Sequence, residues 1–235
     1  MKKIEVLILT ARPAAGKSEV IDYLKKLTPA KRKELLGIAN FEEIDDFPYV
    51  WEAFENDEIW EKLGRPRQNT DKDLYFKSDK IWDFFIHKIN LAYAKKAARD
   101  PSFHKKTAVI IEFARGGKNG IRRALENLSP AVLNKAAVLF LKVSYEESVR
   151  KNRRRFKPDQ ADSILYHTLP DDKMEHYYKL NDWESISGGR PEGYITVKGR
   201  RVPFAVLNNE PEVTADVKKL APALRDTIMR LRSLL

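Results

Sequence analysis

The feature that most constrains this chain is an apolar run, Ile4 to Leu9, followed after one residue by A-R-P-A-A-G-K-S, Ala11 to Ser18, and then by Val20, Ile21 and Leu24 at helical spacing. A buried strand that turns through a loop of small residues into a helix gathers the unpaired N–H groups of the loop and first helical turn at one point. Such a point attracts phosphate. The spacing fits a loop in which a Lys reaches the β- and γ-phosphates of a polyphosphate and the next Ser hydroxyl ligates Mg²⁺. Ala11 stands where the first Gly is usual, and Gly16 allows the backbone to come close. Ala14, Ala15, Gly16, Lys17, Ser18 and Glu19 are the candidate contacts, with Ser18 the metal ligand within the loop.

The remaining elements can be read from periodicity. A short helix is expected from Pro29 through Leu36, and an irregular strand over 37–46. Residues 47–99 are mostly helical, with Trp82, Phe85, Ile86, Ile89 and Tyr93 on one face of a long helix. T-A-V-I-I-E-F, Thr107 to Phe113, is apolar on both faces, as a central parallel strand must be. A helix over Asn119 to Leu128 follows, then a strand from Ala136 to Val143, then a helix opened by Ser144 with Glu146 and Glu147 in its first turn. Tyr194 to Leu207 reads as a hairpin whose second arm is a buried strand, and Ala215 to Leu234 as a closing amphipathic helix. This alternation predicts an α/β chain with βαβ crossovers and a five-stranded, mainly parallel sheet covered on both faces. Ligands of such sheets sit beyond the carboxyl ends of the strands, so chemistry is expected just after Leu9, Ile44, Ile111, Val143 and Leu207.

Composition narrows the partners. At 235 residues and 43% hydrophobic, the chain can bury a sizeable core, which excludes intrinsic disorder. No apolar stretch approaches 18 residues and no signal peptide is evident, so a soluble cytoplasmic protein without a membrane partner is expected. Cysteine is absent, which removes disulfides, thiolate metal sites and Cys nucleophiles. The net charge of +10 favours polyanions in general. It is uneven: residues 41–61 are acidic, and Arg150 to Lys157 carries six basic residues in eight.

A phosphate loop of this kind needs a carboxylate at the end of a neighbouring strand, and Glu112 has that place, followed by Phe113, Ala114 and Arg115. With the loop at 11–18, this pattern resembles the nucleoside and nucleotide kinase branch of the P-loop superfamily. The resemblance implies a P-loop NTPase fold in a single domain over 1–235, with ATP and Mg²⁺ as cofactors. It implies a metal or base role for Glu112 and a phosphate role for Arg115. Ser144 to Phe156 looks like the arginine-bearing lid of that branch, expected over 150–190, where Arg150 and Arg154 lie one turn apart and would neutralise charge during transfer. The loop after the last strand, with Asn208 and Asn209, would hold the base.

The acceptor is expected in a helical region at 46–104. Asp45 and Asp46 stand where a carboxylate could take the proton of an acceptor hydroxyl, with Asp46 the expected base. Arg65 and Arg67 could instead clamp a phosphorylated acceptor. The expected activity is transfer of the γ-phosphoryl group of Mg-ATP to a nucleoside, nucleotide or other small hydroxyl-bearing molecule. Two alternatives remain. One is a nucleotide switch, although the nearest string to a base-reading N-K-x-D is Asn134-Lys135-Ala136-Ala137, which lacks the Asp. The other is a nucleic-acid protein, including a polynucleotide-end kinase, supported by the charge but by no recognised nucleic-acid motif.

Overall fold

The computed structural model describes residues 2–100, 102–155 and 168–235. Six strands and the helices between them run in the order β1 (Val6–Ala11), α1 (Lys17–Lys26), α2 (Pro29–Leu36), β2 (Asn40–Asp45), α3 (Phe47–Lys62), α4 (Lys80–Arg99), α5 (Phe103–Lys106) and β3 (Thr107–Ala114). They continue with α6 (Gly120–Asn127), α7 (Pro130–Leu133), β4 (Ala136–Lys142), α8 (Tyr145–Arg155), α9 (Asp171–Tyr178), α10 (Trp183–Ser187), β5 (Glu192–Val197), β6 (Arg200–Asn208) and α11 (Val217–Ser233).

The strands form one sheet in the order β2-β3-β1-β4-β6-β5, parallel except for β5 against β6. Every residue of β1 is buried, as expected for a strand covered on both faces. The expected five strands are corrected to six, because the first arm of the hairpin joins the sheet as an antiparallel edge. Lys198 (φ 47°) and Gly199 (φ 77°) are both left-handed, the backbone of a two-residue turn that matches strand twist.

Alternation along the strands divides the core in two. Val6 and Ile8, with Val109, Ile111 and Phe113, face Ile86, Ile89 and Tyr93 of α4, together with α6 and Trp183 of α10. Leu7 and Leu9, with Leu139 and Leu141, face Val20, Ile21 and Leu24 of α1 and Leu220, Leu224 and Ile228 of α11.

The stretch over 47–99 is two helices rather than one run. α3 stops at Gly64 (φ 74°), and the irregular segment after it is pinned by the buried Asp57 carboxylate, which accepts the N–H groups of Gln68, Asn69 and Thr70 at 2.7–3.1 Å. Of the region expected over 150–190, residues 156–167, which include Phe156 and Lys157, lie outside the described residues. Among the described residues no helix is long and apolar enough to cross a membrane.

Candidate functional site

The carboxyl end of β1 enters a tight loop. Ala14 (φ 52°) and Gly16 (φ 106°) are both left-handed, and Gly16 is the N-cap of α1. Turns of this kind direct successive N–H groups into one concavity. Gly16 is demanded twice over, by its φ and by space: a Cβ there would lie 2.6 Å from Thr214 Oγ1 and 2.8 Å from Asn209 Nδ2.

The loop is held from behind by three other segments. Asn209, fully buried, donates through Nδ2 to Ala15 O and Thr214 Oγ1, both at 2.8 Å, while its Oδ1 accepts from Val213 N and Thr214 N. Arg12 donates to the carbonyls of Val143, Tyr178 and Lys179, each at 3.2 Å. Ser148 of α8 donates to Pro13 O at 2.7 Å. Asn209, expected to touch a base, is therefore a brace for the loop. Asn208 is exposed, with its amide turned to Glu210 O.

Neighbouring strand ends bring the charges together. Lys17 Nζ, almost buried, lies 3.6 Å from Glu112 Oε1. Asp45 is the register partner of Glu112 across the β2–β3 pair, so the two carboxylates end adjacent strands at one level. Asp46 follows, its N–H bonded to Glu112 O at 3.2 Å. Its carboxylate forms a buried, hydrogen-bonded ion pair with Arg115. Arg115 also donates to Ala114 O and Trp82 O and lies 4.9 Å over the Trp82 ring, while its buried Nε has no hydrogen-bond partner.

Three carboxylates against two cations in a desolvated corner set the protonation states. Burial, then Glu112 and Asp46, push Asp45 up to about 7. Burial pushes Glu112 up, against the pull of Lys17. Burial also raises Asp46, with Arg115 opposing it.

These groups line a cavity of about 390 Å³ whose floor is the loop from Pro13 to Ser18. Its far wall is aromatic. Phe54 and Phe76 pack at 5.2 Å between centroids, Phe76 and Trp82 edge to face at 5.1 Å, and Trp82 and Tyr177 edge to face at 5.5 Å. Trp82, expected on the core face of α4, is thus turned to the cavity while Phe85, Ile86, Ile89 and Tyr93 are buried. Tyr177 fixes this wall through its hydroxyl, which accepts the N–H of Phe76 at 2.9 Å.

The structure sorts the expected arginines. Arg150 and Arg154 do not line the cavity; they pair with Glu212 at 3.6 and 2.8 Å, and Arg150 also with Glu147. Arg155 does line it, paired with Glu19 at 3.3 Å. Arg65 is exposed. Arg67 is buried away from the cavity against Glu61, Asp57 and Thr70, where it braces the loop after α3. Sequence reasoning missed Lys173, which lines the cavity with its Nζ 4.2 Å over Tyr75. It also missed the tether made by Arg12. The position of Arg12 inside the loop was a usable signal, whereas Lys173 had none.

Among the described residues, no group of three or more His, Asp or Glu is arranged to hold a metal unaided. Mg²⁺ commonly takes one or two carboxylates and completes its shell with phosphate oxygens and water. The exposed Ser18 hydroxyl at the start of α1, with Glu112, fits that donor set.

Fold and site together define an α/β protein with a charged, aromatic-walled cavity at the carboxyl ends of its parallel strands. No family profile and no curated protein matches the chain. Among solved structures it is similar to a sugar kinase from Janibacter sp. in unliganded form, at 12% identity and a TM-score of 0.46, covering 98% of this chain and 97% of that one. It is also similar to APE1195, at 15% identity and a TM-score of 0.41, covering 97% and 98%. Likeness at this distance carries no assignment of activity.

Proposed function

We propose that the protein is a P-loop phosphotransferase that moves the γ-phosphoryl group of Mg-ATP to a hydroxyl of a small molecule. The observation that carries this reading is the loop closed by Gly16 onto the start of α1, with Lys17 set over Glu112 inside the same cavity. Loop amides and Lys17 orient the phosphates, and Ser18 with Glu112 would hold Mg²⁺, which would supply charge neutralisation at the phosphates. Arg155 is placed to meet charge developing on the transferred group.

The acceptor hydroxyl oxygen bonds to the γ-phosphorus as the bond to the β–γ bridging oxygen breaks, and ADP leaves with that electron pair. The proton passes to a carboxylate. Asp46 is engaged by Arg115, so the better base is Asp45, which lines the cavity and whose Oδ1 accepts Phe47 N at 3.0 Å. The aromatic wall suits a flat or apolar body on the acceptor. The helical stretch over 46–104 is proposed as the acceptor region of one catalytic domain, and α8 with α9 as its lid.

The test is Mg-dependent ADP release with nucleosides, nucleoside monophosphates, sugars and small alcohols. Stimulation by one class that is lost in Lys17→Ala supports transfer. ATP binding with no stimulation by any class would move the reading to a nucleotide switch.

A further inference from the structure

The amino ends of the strands, at the opposite pole from the cavity, carry a concentration of positive charge. Lys2 and Lys3 precede β1, Lys105 and Lys106 precede β3, Lys135 precedes β4, and Lys198, Arg200 and Arg201 form the turn and start of β6. Counted with Glu5 and Asp100, which stand beside them in the sequence, these eight residues contribute six of the ten excess positive charges of the chain. Direct contacts tie the group together. Lys3 reaches His104 O at 2.8 Å, Lys3 and Lys135 share Glu5, and Arg200 bonds Asn134 Oδ1 at 2.7 Å. Among the described residues, no ion pair to a carboxylate is made by Lys105, Lys106, Lys198 or Arg201.

Shape decides what such charge would bind. β3, β1, β4 and β6 are adjacent in that order, so their leading residues form a row rather than a pocket. Four strands set ~4.8 Å apart give a track of ~15 Å. A single phosphate would engage one end of it. A single nucleic-acid strand, with phosphates roughly 6–7 Å apart when extended, would lay two or three along it. An open cleft of about 730 Å³, lined by Lys3, Glu5, Lys135, Arg200 and Arg201, lies along the β1, β4 and β6 part of the row. We propose that this row is a binding track for single-stranded nucleic acid, held by its backbone without sequence preference. β1 has six residues, so ~20 Å of sheet separates the track from the phosphate loop, and a strand bound there is not the acceptor.

The test is fluorescence anisotropy with a fluorescein-labelled 20-nucleotide single-stranded DNA of mixed sequence, titrated with the full chain at 50–200 mM NaCl. Binding is expected to weaken with a slope of about −2 in log affinity against log salt. Lys105→Glu with Lys106→Glu, and Lys198→Glu with Arg201→Glu, are each expected to weaken it at least tenfold at unchanged ATP affinity and melting temperature. Lys218→Glu with Lys219→Glu, on α11, should leave it within twofold. The proposal is overturned if the wild type does not bind at 50 mM NaCl, or if both track variants bind as the wild type does. Phosphatidylserine vesicles that bind more tightly than DNA, and lose binding in the same variants, would assign the surface to a membrane instead. None of these outcomes depends on phosphoryl transfer.

Discussion

At the scale of single residues, two adjacent aspartates differ in what depends on their charge. Asp46 is buried with Arg115, and Asp46→Asn would leave that guanidinium without its counter-charge, at a cost of about 3–5 kcal/mol. Urea unfolding should show this as a fall in midpoint. Among the described residues Asp45 has no such guanidinium partner, and it is its own charge that burial penalises. Its folded value near 7 lies above the ordinary 3.8, so between those pH values the unfolded chain binds fewer protons than the folded one. The stability linked to Asp45 is therefore greatest below pH 4, declines as pH rises through that window and is flat above it. Asp45→Asn should remove this decline and raise stability at pH 8, while abolishing transfer. Thermal melts from pH 4 to 8 check the first part, and an unchanged slope would refute it. Lys17→Ala should abolish transfer with no change in the fold read by circular dichroism. Gly16→Ala should lose both, because left-handed backbone strain of about 1–3 kcal/mol is added to the collision with Thr214 and Asn209. The loop was legible in the sequence because its residue types are dictated by local backbone geometry. The Asp45–Glu112 pairing was not, since nothing local connects positions 67 residues apart on strands that meet only in the sheet.

Elements bring these residues into reach, and their ends carry most of the chemistry. The segment after β6 was read as a base-binding loop, yet its Asn209 holds Ala15 and Thr214. Asn209→Ala should weaken ATP binding about tenfold, measured by calorimetry, with little effect on the transfer rate at saturation. Helix α8 makes the same point about orientation. Arg150 and Arg154 share a face with Lys151, and all three converge on Glu212, whereas Arg155 turns to the cavity. Arg155→Ala should lower single-turnover transfer by ten- to a hundredfold and Arg154→Ala by less than twofold. The reverse ranking would restore the original assignment. A run of arginines is readable as charge from sequence, but a 100° step per residue means that only packing selects the one facing the site.

For the whole molecule, the cavity exists because the loop after β1, the ends of β2 and β3, and helices α4 and α9 close around one volume. A ligand that binds only this closed arrangement stabilises all of it. Mg-ATP at a hundredfold excess over its Kd should add about 2.7 kcal/mol, or a rise in Tm of ~5–10 °C, and the rise should be absent in Lys17→Ala. The sequence by itself determined the parallel core strands, the helices that follow β1, β3 and β4, and the loop with Gly16, Lys17 and Ser18, because hydrophobic period and local backbone demands are written in consecutive residues. Only the tertiary structure decided that the hairpin adds a sixth strand, that Asp46 is committed to Arg115, and that Trp82 faces the cavity. It also decided that Lys173 and Arg155 supply the cavity's other cations. Those outcomes depend on which distant surfaces exclude water together, and such long-range packing leaves no periodic trace in the chain.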